Sequence, residues 1–301
     1  MKILLVGAKG QLGSDLCRTF SGERHEVVPV DHASVDVCNP KLIDDLIGVV
    51  RPELVLNTAA FHKVEECEQQ PLRAFEVNGI GALNLARACA RSRAVLVHFS
   101  TDYVFDGQKR IPYTESDFPS PLNAYGASKV AGESLITSNA ERYFIVRTSG
   151  LYGHAGSSGK GGNFVETMLK KATEGSTIRV VNDQILTPTS TADLAAATSQ
   201  LIKTDAFGLY HVSCEEACSW YDFAREIFAL QKTQVDLIPV ETKYFPSFVK
   251  RPPYSVLSKG RLHKLGLSVP QWRDSLDRYL RARVQKNQAI SALRVGRVSP
   301  G

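Results

Sequence analysis

Tyr125 and Lys129 stand four residues apart in the segment Asn123-Ala124-Tyr125-Gly126-Ala127-Ser128-Lys129. On a helix that spacing stacks two side chains on one face. A phenol titrates near pH ~10, and a cation held within a few ångströms favours the phenolate by roughly 1–3 units. Such a pair has the parts of a proton donor that works near neutrality. Of the ten tyrosines, Tyr125 alone is followed by lysine at this spacing; Tyr143, Tyr221 and Tyr279 are followed by arginine, a wide planar fork in place of a compact charge.

A proton donor needs a reactant beside it, and the first residues of the chain describe a cradle for one. Lys2 to Val6 is an apolar run that predicts a buried strand, Gly7-Ala8-Lys9-Gly10-Gln11-Leu12-Gly13 predicts a tight turn, and Leu12, Leu16 and Phe20 recur at helical spacing. A strand, a glycine turn and a helix start bring the backbone at Gly7, Gly10, Gln11, Leu12 and Gly13 against a pyrophosphate, at the positive end of the helix. The next apolar run, Glu26 to Val30, ends on Asp31, at the separation where an acid meets the adenosine ribose of a dinucleotide. Asp31 favours NADH, whereas Lys9 could meet the 2′-phosphate of NADPH; both coenzymes are left open.

The elements that must position these groups follow in order. Asn39-Pro40 opens a helix with Leu42, Ile43, Leu46, Ile47 and Val50 inward, and Arg51-Pro52 ends it. Glu53 to Ala60 reads as a strand, Pro71 begins another helix, and Ala94 to Thr101 and Arg142 to Ser149 read as further strands. Strands alternating with helices imply a parallel sheet with right-handed crossovers, here a Rossmann-type doubly wound α/β fold. Ligands on such sheets bind beyond the carboxyl ends of the strands, which puts Gly7 to Gly13, Asp31, Ala59, Ala60 and Thr101 on one rim.

Beyond Ser149 the alternation loosens. Gly153 to Gly162 reads as a mobile loop over a site. Thr177 to Val181, a helix from about Thr191, Gly208 to Val212, a helix capped by Ser219, and Gln234 to Val240 read as a smaller lobe interleaved with the last strands of the sheet. The expected division is 1–150 for dinucleotide binding, 151–286 mainly for substrate, and 287–301 as a basic flexible tail.

Composition narrows the partners. With 301 residues, 43% hydrophobic and 22% charged, the chain has the balance of a globular protein with an ample core. Its first apolar run is too short for a signal peptide or a membrane span. Cys17, Cys38, Cys67, Cys89, Cys214 and Cys218 lack zinc spacing and read as reduced thiols, which indicates the cytoplasm. The formal charge of +5 lies wholly from Arg273 onward, so no basic groove crosses the main fold, and neither nucleic acid nor membrane is expected as a partner.

From Met1 to about Leu280 the chain resembles the dTDP-4-dehydrorhamnose reductase family of the extended short-chain dehydrogenase/reductases. The marks are the glycine turn at Gly7 to Gly13, Ser100-Thr101-Asp102-Tyr103-Val104-Phe105, Tyr125-Gly126-Ala127-Ser128-Lys129, Asn163-Phe164, Asn182-Asp183-Gln184 with Pro188-Thr189, and Arg251-Pro252-Pro253-Tyr254-Ser255-Val256-Leu257. The resemblance implies reduction of the 4-keto group of a nucleotide-linked 6-deoxysugar, with Thr101, Tyr125 and Lys129 as the catalytic set. It implies Asp36, Val37 and Lys63 on the coenzyme side, Tyr103, Asn163 and Arg251 on the substrate side, and a homodimer. It also carries a magnesium ion between subunits, yet Ala192 stands where one of its acids would be while Asp15 is kept, and no metal ligand set is expected. Gly150 replaces the tryptophan that walls the sugar pocket. Two rivals share the fold: a dehydratase or epimerase that retains NAD, which usually has an acid where Tyr103 stands, and a non-catalytic regulatory subunit.

Overall fold

The computed structural model describes residues 1–155 and 162–295. The first half runs β1 (Lys2–Val6), α1 (Gln11–Gly22), β2 (Glu26–Val30), α2 (Pro40–Val50), β3 (Leu54–Asn57), α3 (Val64–Gln69), α4 (Pro71–Phe75), a π turn (Glu76–Ile80), α5 (Gly81–Ser92) and β4 (Val95–Thr101). A 3-10 turn (Asp102–Val104) leads towards α6 (Ala124–Thr137) and β5 (Tyr143–Thr148). There follow β6 (Leu151–Tyr152), α7 (Phe164–Thr173), β7 (Ile178–Val181), β8 (Ile185–Leu186), β9 (Thr189–Ser190), α8 (Thr191–Leu201), β10 (Gly208–His211), β11 (Cys218–Ser219), α9 (Trp220–Leu230), β12 (Leu237–Val240), α10 (Gly260–His263) and α11 (Trp272–Val295).

The helix boundaries have local causes. Asn39 caps α2 by accepting from the N–H groups of Lys41 and Leu42 at 3.0 and 3.3 Å, Pro40 fills the first turn, and Arg51 closes it in a left-handed conformation. Ser219 opens α9 with a capping box to Asp222.

Six strands form the central sheet in the order β10-β5-β4-β3-β1-β2, every neighbour parallel. The chain leaves β1 for β2 on one side and then crosses back to β3 on the other, so the strand order reverses at β1 and a crevice opens at its carboxyl end. The register aligns Val6 with Val30 and Asn57, Asn57 with His98, and Thr101 with Thr148. Alternate residues of β1 enter different cores: Ile3 and Leu5 join one with Phe144, Phe223 and Trp272, while Leu4 and Val6 join another with Ile43, Leu85 and Ile145. Burial on both faces is what a covered parallel sheet requires. Short pairs β7 with β12, β8 with β11 and β6 with β9 build the later part, and β10 returns to the main sheet.

At the C-terminal end α11 continues to Val295, beyond residue 287, where the expected tail begins. Residues 296–301, and 156–161 within the expected Gly153–Gly162 loop, lie outside the described residues.

α6 is anchored to the sheet by an ion pair. Arg147 of β5 donates from Nε and Nη2 to the two carboxylate oxygens of Glu133 at 2.9 and 2.6 Å, with side chains only 4% and 7% exposed. Removing one partner of a buried pair strands the other charge. Glu133→Ala is expected to lower the unfolding free energy in urea by about 3–5 kcal/mol; a loss within about 0.5 kcal/mol, as at an ordinary surface position, would contradict this anchor.

Candidate active site

Thr101 ends β4, and its hydroxyl accepts the backbone N–H of Tyr103 at 3.2 Å, starting the 3-10 turn there. α6 begins opposite it. Asn123 accepts from Gly126 N–H at 2.9 Å and donates to the carbonyl of Lys250 at 2.8 Å, which ties the start of α6 to the segment carrying Arg251. Glu68 accepts the N–H of Ala124 at 2.8 Å.

Tyr125 and Tyr103 meet edge to face, ring centroids 6.0 Å apart at 71°. Burial pushes the Tyr125 phenol well above its ordinary value, and a hydrogen bond with Thr101 acts against that rise. Burial likewise raises Tyr103, with Asp102 adding to the rise and a hydrogen bond to Arg251 opposing it. Arg251 also pairs with Glu65 and donates to the Ser247 hydroxyl at 3.3 Å. Thr101, Tyr103, Tyr125 and Arg251 thus gather at the carboxyl end of β4.

Burial, not the Lys129 charge, is the largest influence on Tyr125. Lys129 is 1% exposed, and its Nζ lies 3.0 Å from Nε2 of His98. Burial lowers the ammonium to about 8, with Glu133 opposing the fall. Helical spacing put the two residues on one face, but the amine turns into the sheet, and the phenol is governed by its own desolvation.

Asp102, which in the sequence stands within the Ser100 to Phe105 mark without a role of its own, is a buried neighbour of the site. It is 3% exposed; Oδ2 accepts from Ser149 and Ser255 at 2.8 and 2.5 Å, and Oδ1 accepts from Thr101 at 3.1 Å. Burial raises its carboxyl and the three hydroxyls oppose the rise. The carboxylate therefore joins the ends of β4 and β5 to the 251–257 segment and orients Thr101. Its signals in the sequence are its place after a strand, beside Thr101, and its presence in the Ser100 to Phe105 mark.

The coenzyme-side residues lie along the neighbouring strand ends. Gly7 has φ +85°, and a Cβ on Gly13 would fall on the Gly7 carbonyl oxygen, so the turn and α1 pack backbone against backbone. α1 starts at Gln11 with no side chain capping it, which leaves its first-turn N–H groups for a pyrophosphate. Gln11 accepts from Gly153 N–H at 3.0 Å, and Leu12 turns its side chain into the core. Lys9 and Asp31, read as rivals for the ribose, pair with each other, and the Lys9 hydrogen bond holds the Asp31 carboxyl down to about 2. Asp36 is exposed and accepts Cys38 N–H at 3.0 Å; Val37 is buried with its carbonyl held by Asn84 at 2.9 Å. Ala59 and Ala60 are half-buried just beyond β3, and Lys63 starts α3 with its ammonium 2.5 Å from Glu66. A glycine turn, an open helix start and flanking polar groups fit a dinucleotide.

Asn163, expected on the substrate side, caps α7 by accepting Glu166 N–H at 3.1 Å and donates to the Gly153 carbonyl and the Tyr279 hydroxyl, at 2.9 and 3.1 Å. Gly150 has φ +56°, and a Cβ there would come 2.8 Å from Leu186 Cδ1, so the backbone path disfavours any side chain at the place of the tryptophan. Asp15 accepts from Arg18 and Thr191, each at 2.5 Å, and among the described residues no three His, Cys, Asp or Glu side chains gather to hold a metal. Among the described residues of a single chain, the surroundings of Asp15 do not make a magnesium site.

A parallel sheet reversing at β1, a glycine turn before α1, and Thr101, Tyr125 and Lys129 on β4 and α6 define an extended short-chain dehydrogenase/reductase. A family model described as the RmlD substrate binding domain matches residues 1–284. The spore coat polysaccharide biosynthesis protein SpsK of Bacillus subtilis is 40% identical, over 94% of this chain and 98% of its own. A crystal structure of a dTDP-4-dehydrorhamnose reductase from Clostridium acetobutylicum superposes with a TM-score of 0.89 at 40% identity, covering 94% of this chain and 99% of that one. A Bacillus anthracis dTDP-4-dehydrorhamnose reductase in complex with NADP gives a TM-score of 0.89 at 39% identity, over 93% and 99%. The chain belongs to the dTDP-4-dehydrorhamnose reductase family.

Because burial raises the Tyr125 phenol, the coenzyme-free protein should hold it protonated through and beyond neutrality. The ultraviolet difference between wild type and Tyr125→Phe is expected to show no tyrosinate from this residue up to about pH 10; a tyrosinate signal appearing near pH ~8 would contradict the assigned environment.

Proposed function

We propose that this protein is an NADPH-dependent reductase of the 4-keto group of a dTDP-linked 6-deoxyhexose, acting in the cytoplasm as a dTDP-4-dehydrorhamnose reductase. The observation that carries the reading is the meeting of Thr101, Tyr103 and Tyr125 at the carboxyl end of β4 with the Lys129 amine buried beneath them. The relative that binds NADP and the Lys9 cation beside the glycine turn support the phosphorylated coenzyme; NADH is the alternative. Six free cysteines agree with a reducing compartment, and among the described residues no helix is long and apolar enough to cross a membrane. The resemblance carries the homodimer.

When bound, the reduced nicotinamide supplies a hydride to the carbonyl carbon of the sugar. Tyr125 gives its proton to the carbonyl oxygen as negative charge develops there, so a phenol kept protonated by its surroundings is in the correct starting state. Thr101, turning from Asp102, hydrogen-bonds the same oxygen. Lys129 turns to the coenzyme ribose, where its charge strengthens Tyr125 as an acid. Arg251, on the 151–286 lobe, is suited to a two-point contact with the diphosphate, which would replace Glu65 as its partner. Tyr103 forms the side of the sugar pocket next to Tyr125, and Gly10 to Gly13 hold the coenzyme pyrophosphate.

With dTDP-4-keto-6-deoxyhexoses, NADPH oxidation followed by the nicotinamide absorbance should be saturable, and Tyr125→Phe should lower kcat by about 10²–10⁴-fold. Unchanged turnover in that variant would remove the proposed proton donor.

A further inference from the structure

Behind the catalytic lysine runs a chain of buried polar groups whose direction can be worked out from one backbone N–H. That group, on Ala59 just beyond β3, lies 3.1 Å from Asn57 Oδ1, and a backbone N–H only donates. The Asn57 amide is thereby oriented with Nδ2 outward, and this atom lies 2.9 Å from Nδ1 of His98. An amide NH₂ also only donates, so Nδ1 of His98 must be the accepting nitrogen of the ring. The proton of a neutral imidazole then sits on Nε2, the atom 3.0 Å from Lys129 Nζ. Asn57, His98 and Lys129 are each 3% exposed or less, and no solvent reaches between them to relax this order.

We propose that Asn57 and His98 are positioning residues for Lys129: they present an imidazole N–H to its Nζ, and so hold the resting lysine as a free amine that must take up a proton when it turns to the coenzyme. An ammonium has no lone pair to receive that N–H, whereas an amine has one. Burial depresses both the His98 imidazolium and the Lys129 ammonium, and the Lys129 charge further disfavours a charged His98, so both shifts run towards the neutral forms. The proton gained by Lys129 comes from solvent, and no electron moves.

The surroundings of α6 are consistent with this. Glu133, one turn along α6, favours the ammonium, but its carboxylate is taken by Arg147 of β5. On the other sides Asp102 of the 3-10 turn and Cys67 of α3 act on Tyr125, Glu68 of α3 holds Ala124 N–H, and Asn78 of the π turn bonds Ser128. Arg73 of α4 pairs with Glu76, and Arg87 of α5 reaches Asn139. The chain also joins the coenzyme-facing end of β3 to the residue beneath Tyr125, so Ala59 and Lys129 are coupled through two side chains.

The coenzyme arm of this inference rests on the proposed function, and the tautomer arm does not. ¹⁵N-resolved NMR of the coenzyme-free protein, with the ring of His98 assigned by its loss in His98→Gln, or in His98→Asn should the first not fold, is expected to show the Nε2–H tautomer. Titration calorimetry with NADPH at about pH 9, in buffers of different ionisation enthalpy, should show uptake of about one proton per coenzyme bound. In Asn57→Asp the acceptor facing Nδ1 reverses the ring, and this uptake should fall at least about threefold. An Nδ1–H tautomer in the wild type, or binding without proton uptake, overturns the inference; failure of NADPH to bind at all overturns the function reading and leaves the tautomer result to decide the chain's direction.

Discussion

A lysine amine that is 1% exposed costs free energy unless each polar atom around it is paired, and this requirement shapes the centre of the molecule. α6 can lie on β4 only because His98 receives Lys129, because Asn57 orients His98, and because Glu133 and Arg147 neutralise each other one turn further on. With α6 in that position, Tyr125 comes to stand over Thr101 and against Tyr103. The strand ends at Val6, Val30 and Asn57 share the same edge, so the cradle for the dinucleotide and the proton donor face a common space.

A second paired cluster holds the other wall. Asp102 takes hydroxyls from Thr101, Ser149 and Ser255, so three separate segments converge on one carboxylate. The substrate-side segment 251–257 is therefore fixed to the sheet by a buried bond, while Arg251 itself reaches outward to Glu65. Rigid support beneath and adjustable charge above is the arrangement that a site for a charged nucleotide-sugar needs.

How much of this was legible in the sequence depended on whether the signal was local. The apolar runs of β1 to β5, the cap at Asn39 and the box at Ser219 depend on near neighbours, and each appears where the residues place it. The parallel sheet followed from their alternation. The roles of Asn57, His98 and Asp102 depend on partners 41, 31 and up to 153 residues away, and a strand pattern shows such residues only as interruptions or ends. Asn163 shows how a motif residue can also carry a local role: its side chain caps α7, which its place just before Phe164 could have signalled. The Tyr125 and Lys129 spacing fixed a shared helix face, not the direction in which a flexible four-carbon chain would turn.

The proposed reduction requires a single carbonyl carbon between the coenzyme and Tyr125. NADPH carrying deuterium at its transferable ring position, turned over with a dTDP-4-keto-6-deoxyhexose, tests this by locating the label in the product with NMR and mass spectrometry. One deuterium bound at C4 of the reduced sugar is the predicted result. Deuterium left on the coenzyme, or a C4 hydrogen drawn from solvent, would contradict the account.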